Sequence, residues 1–447
     1  MVYYFANLLS AILLMSETTI AMKPFILVLL SFLMILNPLS LIPMLFVSSW
    51  SITFVVFPGL AAYFYYLVLF FVSIGVSLIS NQEKVSLVPG IPAARMALLF
   101  AIWITITGFY SISGQWYGAV KLALFIVPLI LVSRLSLSNM EFCRTSIDII
   151  AAFFSVYCLY IMFFAPAYYY SDISTMGQRS LRSDMNPNTA SQIVLVLFII
   201  LYSEMFRTER YGLLIFAALN VGTLMFLGSR TAFFTMAVIA VVYLMIVLKT
   251  AIWKKILLFI VFLALFFVMF SLGSGMGRSD RLTLETIEED QGSGRFYTWD
   301  VLYHEVIPYH LVHGVGVGKA NYENLPIFAS DADNLYIDLL TATGIVGLLL
   351  FFVYYILNLG HLFRYRKEKK DWDFLIAIFL AYLFEGIGET VYDLPMIWFF
   401  GFLSMLAIND LKYAEDEPEE ELDEEETDLE PVLEIPEETA LPQYKFS

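Results

Sequence analysis

The sequence predicts an all-α, polytopic membrane protein with about twelve transmembrane helices and a large extracytoplasmic loop between late helices. Three observations predict it. Hydrophobic residues make up 60% and aromatic residues 17% of the 447 positions, while charged residues make up only 15%, a balance foreign to a soluble domain of this size. Apolar stretches of about 17–25 residues, each long enough to span a bilayer as a helix, recur from end to end. Lysine and arginine gather in alternate short loops, as they do on the cytoplasmic side of a membrane protein.

In order, the spans read as 25–47, 54–79, 96–112, 117–132, 147–164 and 190–206, then 213–227, 231–248, 256–272, 335–357, 374–387 and 394–408. The last two are short enough to form one kinked hairpin. Segment 1–22 contains Glu17 and reads as an interfacial helix or an extra span. The chain therefore divides into 1–22, a helical region 23–272 with an outer loop at 165–189, a large outer loop at 273–334, closing helices at 335–410 and a tail at 411–447.

Charge sets the orientation. The run "HLFRYRKEKKDW" carries Arg364, Arg366, Lys367, Lys369 and Lys370 and belongs in the cytoplasm. Counting spans backward puts Lys249 with Lys254 and Lys255, Arg207 with Arg210, Arg134 with Arg144, Lys84 with Arg95, and Lys23 on the same side. The net charge of −16 is mostly tail: from Ala414 onward there are 15 acidic residues and one lysine. That like-charge, proline-containing run reads as disordered and cytoplasmic, and it carries no information about the substrate. Neither it nor the rest of the chain suggests nucleic-acid binding. The two cysteines, Cys158 in a span and Cys143 in a short loop, form no metal or disulfide pattern. The N-terminus shows neither the basic region nor the cleavage site of a signal peptide.

The exceptions to the charge rule point to function. Seven basic residues fall outside: Arg179, Arg182, Arg230, Arg278, Arg281, Arg295 and Lys319. Six are arginines, whose planar fork matches phosphate oxygens where lysine offers a point charge. Arg230, in "FLGSRTAFF", sits in a helix-to-helix turn with almost no room outside the membrane, where a charge is costly and usually faces a cavity or substrate. Arg295 begins the helix-like "RFYTWDVLYHEV", with Phe296 and Trp299 on one face. Arg278 and Arg281 read as ordinary loop charges.

Other signals carry alternatives. "HEVIPYH" sets His304 and His310 six apart around Pro308, not at the i, i+4 spacing a zinc helix needs; no metal is expected. "HGVGVGKANY" has no preceding strand and reads as a flexible loop that lets backbone approach a ligand or the membrane, with His313 as a loop residue or a base. Asp333 and Asn334 open a span, either as a helix cap or, for Asp333, as a carboxylate that takes a proton from a sugar hydroxyl. "RSDMNPNTASQ" reads as a turn and cap. Glu385 and Glu389 flank Gly386 and Gly388 near an outer end, either to bind acceptor hydroxyls or to line a wet vestibule. Lys121 lies within a span without a partner legible in the sequence.

"FLGSRTAFF", "GSGRFYTWDVLYHEVIPYHLVHGVGVG" and "DNLYIDLLTATGIVGLLLFF", following the "NPN" segment, occur in the order seen in the O-antigen ligase/polymerase membrane family. With "NPN" they cover roughly 186–352, and the chain resembles that family through the combination rather than any single motif. The resemblance implies a multi-pass enzyme of the plasma (inner) membrane that transfers glycan on the extracytoplasmic face, without a cofactor. Its substrates would be polyprenyl-pyrophosphate-linked oligosaccharides, and its partners a flippase and a chain-length regulator. Arg230 and Arg295 match the family's pyrophosphate-binding arginines, with Arg182 as a further candidate. In the ligase branch a histidine usually precedes the asparagine at 334; here Asp333 does, which favours a repeat-unit polymerase of a surface polysaccharide over a ligase. The expected base is Asp333, with His313 second. Outside this enzyme class, the alternative is a lipid-linked glycan transporter, which would show repeats and broken helices meeting at mid-membrane.

Overall fold

The computed structural model describes residues 1–16, 22–51, 54–57, 59–80, 85–114, 116–164, 187–244, 295–318, 321–322, 332–365, 372–392 and 394–416, with a few positions between 252 and 264. Arg179, Arg182, Arg278, Arg281 and Lys319, expected in outer loops, and the segment beyond Asp416 lie outside the described residues.

The described chain is mostly helical. α1 (Val2–Met15), α2 (Lys23–Met34) and α3 (Pro38–Ser48) are followed by α4 (Ala62–Ile79), α5 (Pro92–Phe109), α6 (Tyr117–Val132) and α7 (Met140–Phe164). Next come α8 (Pro187–Thr208), α9 (Leu214–Leu227) and α10 (Arg230–Val242). α11 (Arg295–Val301) runs through a π turn into the short α12 (Ile307–His310), and α13 (Leu335–Tyr365), α14 (Asp373–Glu385) and α15 (Pro395–Asp416) close the bundle. Four of these, α4, α5, α8 and α13, are long and apolar enough to cross a bilayer.

Several details depart from the sequence reading. Two small antiparallel pairs sit among the helices: β1 (Val55–Phe57) with β2 (Leu60–Ala61), and β3 (Val85–Leu87) with β4 (Leu135–Leu137). The span at 54–79 consequently begins as a helix only at Ala62. The span at 25–47 is interrupted because Asn37 caps a new helix whose first residue is Pro38, which has no N–H to continue the old one. α1 packs against α2, α3 and α7 and buries a face that includes Ala6, Ala11 and Leu14, so it is part of the bundle. Cys143 is buried inside α7, not in a loop. α14 and α15 are two separate helices, and α15 extends to Asp416, into the segment expected to be tail. Lys121 lies over the Phe125 ring at 5.8 Å.

α8 is the axis of the core. Its residues from Ala190 to Ser203 are all buried, and it packs against α7, α9, α10 and α14. Charged side chains flank this apolar length at both ends. From Asn188 to Glu204, α8 covers about 24 Å at 1.5 Å per residue, close to the depth of a bilayer's hydrocarbon.

The expected span at 335–357 is broken. Gly344 has φ 68° and ψ −176°, separating 335–343 from 345–365. Such a break frees backbone groups that a membrane interior cannot satisfy with water. Here the glycine-rich segment satisfies them. The Val315 N–H donates to Thr341 O (2.8 Å), the Gly316 N–H to Ala342 O (3.0 Å), and the Ile345 N–H to Leu311 O (2.7 Å), while the Trp103 indole donates to Thr343 O (2.7 Å). Gly314, at φ 72°, lies so close to the Ala342 backbone that a Cβ would collide with it. The glycines of "HGVGVG" thus serve close approach to a helix of the same chain, where the sequence suggested a flexible approach to a ligand or membrane.

Candidate functional site

The site is assembled at one end of α8 from four elements. The turn in "FLGSRTAFF" is a helix-to-helix connection. Gly228 ends α9 in the left-handed region at φ 67°, and the Ser229 side chain accepts from the Ala232 N–H at 3.5 Å as a long cap bond. Arg230 is then the first residue of α10 and is half-buried. A cation there sits at the positive end of the helix dipole, a placement that costs a few tenths to about 1 kcal/mol. Helix stability therefore does not explain it.

Arg295, the first residue of α11, reaches across the gap between segments. Its Nε donates to Asp333 Oδ2 at 3.2 Å and its Nη2 to Glu389 Oε1 at 2.9 Å. The side chain is 21% exposed, Asp333 45% and Glu389 9%, so the cluster is open on the Asp333 side and closed on the Glu389 side. Burial works against the guanidinium charge, yet Glu389 and Asp333 outweigh it and hold the Arg295 pKa above its ordinary value. Burial pushes the Glu389 carboxyl up to about 7 even though Arg295 beside it pulls the other way. Asn188, at the start of α8, also hydrogen-bonds to Glu389.

Asp333 adopts φ 45°, a left-handed conformation that is uncommon outside glycine, asparagine and aspartate. The next residue fixes it. Asn334 Oδ1 accepts from the N–H groups of Tyr336 and Ile337, both at 3.0 Å, and its Nδ2 donates to Ile387 O at 2.8 Å. The Leu335 N–H donates to Gly386 O at 2.7 Å. Asn334 is thus both the cap of α13 and its tie to the α14–α15 turn. In that turn a Cβ on Gly388 would press on Thr231 and come within 3.3 Å of Arg295 Nη1. The start of α10 and the Arg295 fork therefore flank the same glycine. Behind Glu389, Glu385 ends α14 with 0% exposure and neither carboxyl oxygen hydrogen-bonded.

Among the predicted site residues, the structure gathers Arg295, Asp333, Asn334, Glu385 and Glu389, with Arg230 one residue from the contact at Gly388. It does not bring His313 to them. That ring stacks on Tyr110 at 5.7 Å and lies beside His310 at 5.8 Å, and the backbone there packs at Gly344. Segment 335–343 separates it from Asp333 by about 13 Å of helix. Burial and the neighbouring His313 lower the pKa of His310. The Phe296–Trp299 contact expected on α11 is present, with centroids 5.6 Å apart. The sequence reading missed Asn188, Thr231 and Gly388 as members of the cluster. The polar residue after Pro187 was the one available signal.

An apolar helical bundle with a half-open arginine–carboxylate cluster at one end defines a multi-pass membrane protein with polar chemistry at its edge. Residues 213–352 match the family model described as O-Antigen ligase, so this part of the chain is similar to that family. No curated protein matches the sequence. The matched segment contains Arg230, Arg295, Asp333 and Asn334, whereas Asn188, Glu385 and Glu389 come from outside it.

Proposed function

We propose that the chain is a repeat-unit polymerase, transferring a growing glycan from polyprenyl pyrophosphate to a sugar hydroxyl of a second lipid-linked unit. The observation that carries this reading is the Arg295 fork, half-open to solvent, beside the start of α10 where Arg230 sits against its helix dipole. The acceptor oxygen attacks the anomeric carbon, the bond from that carbon to the pyrophosphate breaks, and the hydroxyl proton passes to Asp333. The leaving pyrophosphate gains negative charge as it departs, and Arg230 and Arg295 stabilise it. One such contact is worth about 3 kcal/mol of barrier. Arg182 is proposed as a further contact. In this reading the cluster faces the extracytoplasmic side, the acidic tail lies in the cytoplasm, and a flippase and a chain-length regulator act alongside.

The description of the matched family favours a second reading, a ligase that joins finished glycan to a lipid core. A transporter is the reading from another class, and the break at Gly344 would suit one, but its freed backbone groups are bonded to the protein's own loop. Reconstitution of the purified protein with a defined polyprenyl-pyrophosphate-linked repeat unit separates the three. A ladder of products supports the polymerase. Single transfers onto a lipid core support the ligase. Movement across the bilayer without joining supports the transporter.

A further inference from the structure

In the free protein the Arg295 fork is already occupied, by Asp333 on Nε and Glu389 on Nη2. A pyrophosphate that recruits this guanidinium must take it from carboxylates. The groups facing Glu389 are Arg295 from α11, Asp333 at the head of α13, Asn188 from α8 and Glu385 from α14, with Thr231 of α10 across Gly388. Tyr382 lies beside Glu385, and its hydroxyl, like both Glu385 oxygens, is buried without a hydrogen-bond partner. Three carboxyl groups therefore surround the place that has to accept an anion. Like charges this close disfavour full ionisation, and Glu389, the most enclosed group in contact with Arg295, bears the change.

We propose that Glu389 is a positioning residue: it presents Arg295 to the donor pyrophosphate and takes up a proton from solvent as the guanidinium leaves it, so that donor binding and proton uptake are one event. This rests on the pyrophosphate reading above and adds the proton linkage to it. Asp333, half-exposed, is the side from which water reaches the cluster. The sign follows from the charges. Free Glu389 titrates near 7, and losing its cation while gaining an anionic neighbour raises that value in the complex. Above about pH 7 the complex therefore holds more protons than the free protein, and affinity falls as pH rises, by up to ~tenfold per unit. Below about pH 7 Glu389 is already protonated in both states and affinity is level.

The test uses the full chain in detergent and a short prenyl pyrophosphoryl-N-acetylglucosamine, in which both phosphates are esterified and neither titrates near neutrality. Calorimetry in buffers of different ionisation enthalpy counts the protons taken up. At about pH 8 the expected result is about one proton per bound probe, falling towards none at about pH 6. Glu389→Gln should bind the probe without proton uptake and without pH dependence, whereas Asp333→Asn should keep the uptake. Binding by the wild type without proton uptake at about pH 8, or uptake that persists in Glu389→Gln, would overturn the linkage and leave the pyrophosphate site standing. Absence of any binding by the wild type would overturn both.

Discussion

Two arginine–carboxylate clusters sit at opposite ends of α8, and they are built differently. At one end Arg144 donates to Asp148 (3.1 Å) and Glu204 (3.5 Å), while Arg207 grips Glu204 through Nε (2.7 Å) and Nη2 (2.9 Å). Arg144 is 1% exposed and lies 3.9 Å from the Phe374 ring centroid, which seals it from above. Two cations meet two anions and the Phe374 ring covers the Arg144 guanidinium; Arg144 Nη1 and Asp148 Oδ1 have no hydrogen bond, and Arg207 is 22% exposed. At the other end Arg295 meets Asp333 and Glu389, with Glu385 behind them. This cluster is open to water at Asp333, it holds a residue at positive φ, and it contains a buried carboxyl with no hydrogen bond. Balanced and sealed charge holds helices together; unbalanced and half-open charge is suited to exchanging partners. The same residue types thus separate into a structural group and a proposed functional one by their surroundings.

Substitutions at the two ends should pull stability and activity apart. The largest expected effect is at the sealed end. Arg144→Ala leaves Asp148 without its buried cation, while Glu204 keeps Arg207, and should cost about 3–5 kcal/mol of stability, read as a collapse of the thermal melt in detergent. At the open end Arg230→Lys keeps the charge but loses the fork. It should lower polymer formation by ~100-fold, which is about 3 kcal/mol of barrier, without moving the melt. Full polymer length and yield in both Arg230→Lys and Arg230→Ala would remove the pyrophosphate role. A smaller effect is expected at Asn334. Asn334→Ala loses the cap of α13 and should cost about 1 kcal/mol, with a modest drop in melting temperature. Because the same residue fixes Asp333, product formation should fall more than that stability loss implies. A melt that moves while product formation does not would make Asn334 a cap and nothing more.

Much of this was legible in the chain, and the gaps have physical causes. Long apolar runs announced the helices because only a bilayer or a buried core tolerates them. The Gly-Ser-Arg turn announced itself because a left-handed glycine followed by a serine cap is a local signal. The Arg295 contacts were not legible. Asp333 lies 38 residues away and Glu389 94 residues away, and no local pattern reports a pairing at that range. Arg144 and Arg207 read as ordinary basic-loop residues, because sequence spacing does not reveal that Asp148 and Glu204 enclose them. The "HGVGVG" segment read as a ligand loop because glycines that permit close approach look alike whatever approaches.

The sequence by itself determined that the chain is a membrane bundle and which arginines stand outside the usual charge pattern, since hydropathy and charge are properties of single positions and short windows. The tertiary structure decided which carboxylates Arg295 meets, that His313 stands apart, and that Arg144 is sealed at one end of α8 while the cluster at the other is open at Asp333. Those are contacts between distant segments, set by how helices pack, and packing depends on every face at once.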